Sequence, residues 1–415
     1  KYYELITGLD YWIADRLKEL EEPGLADDTI VFFWSDHGVG MPRAKRWLYD
    51  SGTKIPLIVH IPKRYRSDNP EPGTVDEQLV SSVDFAPTVL NLTGLPIPDY
   101  MQGRAFLGKN QSPQRRAVFG ARDRMDERYD IIRMVRNERY RYIRNYQPYK
   151  PFHQFMRSCE NGPMMTELRE LYGYNELTPA AEQFFAQQKP LEELYDLQKD
   201  PHEIHNLADD PAYADIKERL AQELMHWMRD IRDLAFIPEP ELFNFDRKYG
   251  NRYSFFHEHA ESGLFDRIWS TASTAGRPDR GDQLFLLNAL NDKNPSVRYW
   301  AAIGLGNLRG GGAAVTNRLR AALKDGAPVV RVAAARALYY AGDNKAALPL
   351  LVTELQSDHE WVRLAAAHVL DEMGADARPA VSLLEKALED KENKYVVRVA
   401  NHALNVLNST HNRVR

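Results

Sequence analysis

Ile30-Val31-Phe32-Phe33-Trp34-Ser35-Asp36-His37-Gly38 is the stretch on which the reading of this chain turns. Its first five residues are apolar without interruption, as in a strand buried on both faces. That pattern predicts a central parallel strand covered by helices. Its last three place a carboxylate and an imidazole where the strand ends. In open α/β sheets ligands bind beyond the carboxyl ends of strands. Gly38 lets the backbone turn away while both side chains face the crevice. Eight residues past His37 comes Lys45, inside Arg43-Ala44-Lys45-Arg46-Trp47-Leu48-Tyr49. Two metal-ligating side chains followed by a cation suit an oxyanion ester, with a metal on one side of the anion and an ammonium on the other. Taken alone, Asp36-His37-Gly38 reads equally well as a polar turn that caps a strand.

Moving outward, Tyr2, Leu5, Ile6, Leu9, Ile13, Leu17 and Leu20 recur at helical spacing and predict a helix over 2–21. A second strand reads at Ile55–Ile61 and a helix at 82–94, closed by Gly94-Leu95-Pro96. Strand, helix and strand in alternation argue α/β. From about residue 117 the texture changes. Val118–Gly120, Ile131–Val135 and Tyr140–Arg144 are short and β-prone, separated by charged turns, which predicts an antiparallel meander. Residues 148–190 read as irregular, 211–233 as a helix, and Pro238-Glu239-Pro240 opens a linker or wrapping segment.

The last third repeats. Val-Arg recurs at 297/298, 330/331, 362/363 and 397/398, spaced 33, 32 and 35 residues apart. Alanine-rich helix follows each copy, and an acidic turn precedes each, at Asp292, Asp325, Asp358 and Asp390. A fixed period of this length means stacked helix pairs, a solenoid. The pattern resembles HEAT-type repeats. The expected boundaries are an α/β core over 1–110, an α+β subdomain over 111–235, a linker over 236–280 and repeats over 281–410.

Composition narrows the function. Apolar content of 43% and charged content of 27% are those of a soluble globular protein. A net charge of -5 gives no basic field for nucleic acid. No apolar run approaches the roughly 18 residues of a membrane span. The single cysteine, Cys159, excludes an intrachain disulfide and a multi-cysteine zinc site. The chain opens at Lys1 inside an amphipathic pattern, without initiator Met or signal peptide, and so reads as a fragment.

Pro42–Tyr49, Gly52 and Ile55-Pro56-Leu57-Ile58-Val59 form a long string. It continues in Ser82-Val83-Asp84-Phe85-Ala86-Pro87-Thr88-Val89-Leu90 and Met101-Gln102-Gly103-Arg104. Glu192-Glu193-Leu194-Tyr195-Asp196-Leu197, Asp200-Pro201 and Asn206-Leu207-Ala208 follow. In order and spacing these blocks resemble the sulfatase family of the alkaline phosphatase superfamily, over roughly residues 1–240. The fold so implied is a partial α/β sulfatase-like sheet with a C-terminal antiparallel subdomain, followed by an all-α HEAT-like solenoid.

The resemblance implies roles residue by residue. Asp36 matches a carboxylate metal ligand, and His37 stands where members carry Asn or His, also a ligand. Lys45 matches the lysine that contacts the sulfate group, with Arg43 as a possible helper or a plain surface cation. The implied cofactor is a divalent metal, calcium in the family, although His37 leaves a transition metal open. Sulfatases carry Cys or Ser in Cys/Ser-x-Pro-x-Arg, converted to formylglycine, whose hydrate is the nucleophile. Cys159, in Ser158-Cys159-Glu160-Asn161-Gly162, does not match, so formylglycine is expected on sequence upstream. The chain alone is expected to bind metal weakly and turn over nothing. The intact parent is expected to hydrolyse sulfate esters or sulfamates of carbohydrates.

Arg124 and Asp126, in the charged run 121–128, are candidate contacts to the sugar, as is His153. The competing readings are a solvated hairpin loop and a packed core histidine. Cys159 reads as a structural thiol, and His202 and His205 as surface residues. Two alternatives stay open: a phosphodiesterase or phosphonate hydrolase of the same superfamily, and a non-catalytic scaffold whose repeats bind a protein partner. A periplasmic or secreted parent fits the resemblance, which does not fix the compartment.

Overall fold

The structure, a computed structural model, describes residues 2–67, 69–259 and 261–414. Its chain divides into two compact units, one of residues 1–119, 135–141 and 196–203, the other of 120–134, 142–195 and 204–415.

In the first unit a helix spans Tyr2–Glu21 and buries none of its residues. Strand β1 (Val31–Trp34) follows and pairs with β2 (Leu57–His60). The pairing is antiparallel, with Val31 opposite His60 and Trp34 opposite Leu57, which corrects the expected parallel arrangement. An apolar run reports burial but carries no information on strand direction. Nor is β1 closed on both faces, because Trp34 is exposed.

Several of the sequence blocks turn out to be packing devices. Asp84, almost fully buried, accepts the Ser81 N–H at 2.9 Å, the Arg104 N–H at 2.7 Å and the Arg115 guanidinium through Nε at 2.8 Å. Burial works against its ionisation, but these donors outweigh it and hold the carboxyl below its usual range. The helix Phe85–Leu92 starts from this knot. Gly103 passes so close to the Val83 carbonyl that a Cβ would sit 1.9 Å from it. Thus Asp84 and the Gly103-Arg104 block act together to seat one segment on the other.

A four-stranded sheet follows in the order β3 (Val118–Met125), β4 (Arg128–Arg136), β5 (Tyr140–Asn145), β6 (Glu192–Asp196). Asn145 N–H bonds Leu191 O and Leu197 N–H bonds Arg139 O, so β5 and β6 run antiparallel. The charged run 121–128 is strand almost throughout rather than loop, and only Asp126-Glu127 forms the turn, Asp126 with φ of 49°. Charges survive in this sheet because they are paired. Arg133, buried, donates to Asp233 at 2.6 Å and meets Asp123 at 3.0 Å.

The HEAT-like array packs by removing side chains. A Cβ on Gly304 would lie 3.1 Å from Ala275 Cα, and one on Gly306 2.8 Å from Ala337 Cα. Ala301, Ala334, Ala335, Ala366, Ala367 and Ala400 are completely buried. Small residues at these crossings let helix backbones approach, and the excluded apolar area holds the stack together. Helix Leu264–Gly276, inside the segment read as a linker, packs here through Ala275 and so belongs to the stack.

Two of the repeated arginines, Arg298 and Arg363, reach the turn that opens the next repeat, and Arg331 reaches the end of the second helix of its own repeat. Arg298 pairs with Asp325 at 2.8 Å, Arg331 with Glu354 at 2.6 Å and Arg363 with Asp390 at 2.7 Å. Each also donates to carbonyls of its own preceding turn: Arg298 to Asp292 O, Arg331 to Asp325 O, Arg363 to Ser357 O. Arg398, in the fourth copy, pairs instead with Glu127 of the β3–β4 turn at 3.2 Å. Trp300, fully buried, donates its indole N–H to Phe236 O at 2.7 Å. No helix among the described residues is long and apolar enough to cross a membrane.

Candidate functional site

The residues after β1 form a compact loop closed by two glycines. Gly38 N–H bonds Gly52 O at 2.9 Å, and a Cβ on Gly38 would lie 2.0 Å from Ser51 O. Gly52 is enclosed in turn, since its Cβ would lie 2.2 Å from Ala44 O and 2.3 Å from Trp47 O. Between them Lys45 N–H bonds Val39 O at 3.0 Å, and Arg43 and Arg46 take left-handed φ of 60° and 78°. Non-glycine residues adopt that region at a cost, which is offset here by the contacts around them.

Asp36 and His37 emerge where this loop begins. His37 Nε2 lies 3.5 Å from Asp36 Oδ1, and the Asp36 side chain is 85% exposed. His37 Nδ1 lies 2.7 Å from Gly38 O. A carbonyl only accepts, so Nδ1 carries a proton and Nε2, beside the carboxylate, is the ring nitrogen left to face a metal. That is the tautomer a metal-ligating imidazole needs. One carboxylate oxygen and one imidazole nitrogen, both open on one side, therefore fit part of the shell of a divalent ion. Among the described residues no group of three or more His, Cys, Asp or Glu side chains is placed to complete one. The Lys45 side chain is exposed in the same loop.

Arg43 has a different place. Its guanidinium donates to His202 O at 3.0 Å and to Glu203 O, and lies over the Tyr49 ring at 3.8 Å. It is a brace of the loop. Beneath it lies a buried network that the sequence reading missed. Arg141, wholly buried, donates to Leu48 O and the Asp50 carboxylate and lies 3.3 Å from Glu203. Glu203 accepts the Asp50 N–H at 2.6 Å, and burial pushes its carboxyl up to about 7 against the pull of Arg141. A signal was available: arginines inside the β-prone segments 131–135 and 140–144, such as Arg133 and Arg141, require carboxylates elsewhere in the chain.

Arg124, Asp126 and His153 lie in the second unit. Arg124 is paired with Glu239 and sits 5.2 Å above the Trp361 ring and 5.5 Å from that of Tyr395. Asp126 accepts the Ser158 hydroxyl at 2.5 Å. His153 is buried, stacks on Phe184 at 4.7 Å and bonds Glu160 through Nε2 at 2.8 Å. Burial opposes ionisation of Glu160, yet Arg169 and His153 together bring its carboxyl down to about 2. His202 and His205 are exposed, as read. Arg124 and His153 line one cavity and Asp126 does not.

Comparison with known proteins gives three matching regions. Residues 1–95 match the sulfatase family, 180–230 match the C-terminal region of N-sulphoglucosamine sulphohydrolase, and 284–352 with 316–405 match HEAT repeats. Segments that match the sulfatase family and segments that match HEAT repeats thus lie in one chain. An ulvan-active sulfatase of Formosa agariphila is 41% identical over 244 residues, covering 59% of this chain and 40% of that protein. Human N-sulphoglucosamine sulphohydrolase is 30% identical over 250 residues, covering 56% of this chain and 47% of that protein. A putative sulfatase structure from Bacteroides thetaiotaomicron aligns with a TM-score of 0.38 at 25% identity, over 52% of this chain and 40% of that one. The chain spans less than half the length of these relatives.

Proposed function

We propose that this chain belongs to an enzyme that hydrolyses sulfate esters or sulfamates of carbohydrates, and that it supplies Asp36 and His37 as metal ligands and Lys45 as the sulfate-binding cation. The supporting observation is the His37 tautomer: its Nδ1–H is held by Gly38 O, which leaves Nε2 free beside Asp36 in residues that match the sulfatase family. The sulfatase and sulphohydrolase relatives favour sulfate over phosphate as the leaving oxyanion. A bound divalent ion, calcium in the simplest case, supplies Lewis acidity toward the sulfate oxygens. Lys45 donates to a non-bridging oxygen and stabilises the charge that develops there. Arg43, Arg124 and Asp126 are assigned to packing, because their charged groups are already engaged.

The test is sulfate release from N-sulfated and 6-O-sulfated glucosamine by the protein expressed from its complete reading frame. Lys45→Ala is expected to lower kcat/KM about hundredfold or more, as loss of one donor to a developing oxyanion does. A loss under about tenfold removes Lys45 from the mechanism. Hydrolysis of phosphodiesters without sulfate release would redirect the reading to phosphoryl chemistry, and absence of both would leave a scaffold.

A further inference from the structure

The second unit encloses a cavity of about 650 Å3 between the sheet with its following loops and the helices of the repeat array. We propose that this cavity binds an anionic sugar, one that carries a carboxylate or sulfate group. Its volume is in the range of small-molecule sites. Its lining is that of a saccharide site, with flat aromatic rings for sugar C–H faces and polar groups for hydroxyls. Tyr149, Tyr340, Trp300 and Trp361 supply the rings.

Charge argues for an anion. Five cations line the cavity against three carboxylates, and each carboxylate is already taken. Glu239 pairs with Arg124, Asp371 with Arg128 and His402, and Glu372 with Arg336. Arg309 and Lys150 form no ion pair with a lining carboxylate among the described residues, and Asp130 and Glu372 act on Lys150 only at longer range. Among the described residues Lys150 Nζ donates to the Tyr129 carbonyl at 2.6 Å and to Gln147 Oε1 at 3.1 Å.

Unmet donors argue for oxygen atoms in the cavity. Arg336 is buried, its Nε is held by Glu372 at 2.6 Å, and its Nη1 has no hydrogen-bond partner among the described residues. Gln154 Nε2, also in the lining, is buried and unpartnered. His368 presents a buried Nε2 without a partner. Buried donors left unpaired are costly and rare in native proteins. The oxygens of a sugar and its acidic substituent answer all three.

The chain is titrated with a heparin-derived uronate–glucosamine-sulfate disaccharide, with neutral cellobiose for comparison. Binding is read by tryptophan fluorescence and calorimetry. Quenching by the acidic disaccharide alone is expected. Arg309→Ala and Arg336→Lys should each weaken it by about tenfold, the loss of a charge-assisted hydrogen bond. Lys45→Ala should leave the affinity unchanged, which separates this cavity from the proposed sulfate site. Absence of binding, equal binding of cellobiose, or an affinity that responds to Lys45→Ala and not to the cavity variants overturns the proposal. Should Arg336→Lys fail to fold, the exposed Arg309→Ala decides.

Discussion

Arg298 reaches out of its own repeat to Asp325 in the turn that opens the next, Nε to Oδ2 at 2.8 Å, while its Nη1 holds the Asp292 carbonyl behind it. One guanidinium therefore spans two turns. The same motif recurs at Arg363 and Asp390, where both side chains are largely buried.

Arg363→Ala is expected to destabilise the array by about 2–3 kcal/mol, since it removes the guanidinium that pairs with the buried Asp390 carboxylate and leaves that group to the Glu392 and Asn393 N–H donors. Urea unfolding of the wild type and variant measures this. A difference within about 0.5 kcal/mol would show that the ladder contributes no more than an exposed ion pair.

Gly38→Ala should collapse the loop that carries Asp36, His37 and Lys45, because the added methyl meets Ser51 O at 2.0 Å. Overpacking of this kind costs about 1–3 kcal/mol. Gly40→Ala, with nothing within 4 Å of its Cβ, is the matched control and should be silent. Thermal melts of the two variants side by side distinguish them, and equal melting temperatures would contradict the packing described.

Arg43→Ala should lower the melting temperature, because it releases the carbonyls of His202 and Glu203. A variant that melts like the wild type but releases sulfate far more slowly would return Arg43 to the chemistry.

Asp371 gives the unit an acid limit. Burial opposes its ionisation, but Arg128 and His402 prevail and hold the carboxyl at about 2, against 3.8 for the free group. A depressed carboxyl contributes stability that is fully present above the unfolded value and is lost as pH falls through the folded one. Stability should therefore decline between about pH 4 and 2, and the slope should flatten in Asp371→Asn. Acid titrations of the two proteins that run parallel would refute this.

Much of this was legible in the chain. The repeats announced themselves because alanine, arginine and aspartate recur at constant spacing, and the helices at 2–21, 82–94 and 211–233 followed from apolar periodicity. What stayed hidden was partnership. Nothing local tells that Arg43 bonds a carbonyl 159 residues away, or that Arg298 selects the next repeat's turn. Charges in the run 121–128 read as solvent-facing because buried arginines are betrayed only by carboxylates far along the chain, such as Asp233 for Arg133. Strand direction was hidden for a related reason: β1 is as apolar beside an antiparallel neighbour as beside a parallel one. Asp36, His37 and Lys45 were singled out by side-chain type and by the resemblance of the blocks around them, and the structure places all three in the segment that follows β1.

Solenoids lengthen and shorten freely when each repeat answers only to its neighbours. Here the pairing of Arg398 with Glu127 closes the array against the sheet, with Trp300 anchored on Phe236 nearer its start. The count of repeats is thereby measured against a fixed ruler. Inserting or deleting one would move Arg398 by a whole helix pair and leave Glu127 without its guanidinium partner, so the stretch from Trp300 to Arg398 is a span cut to length.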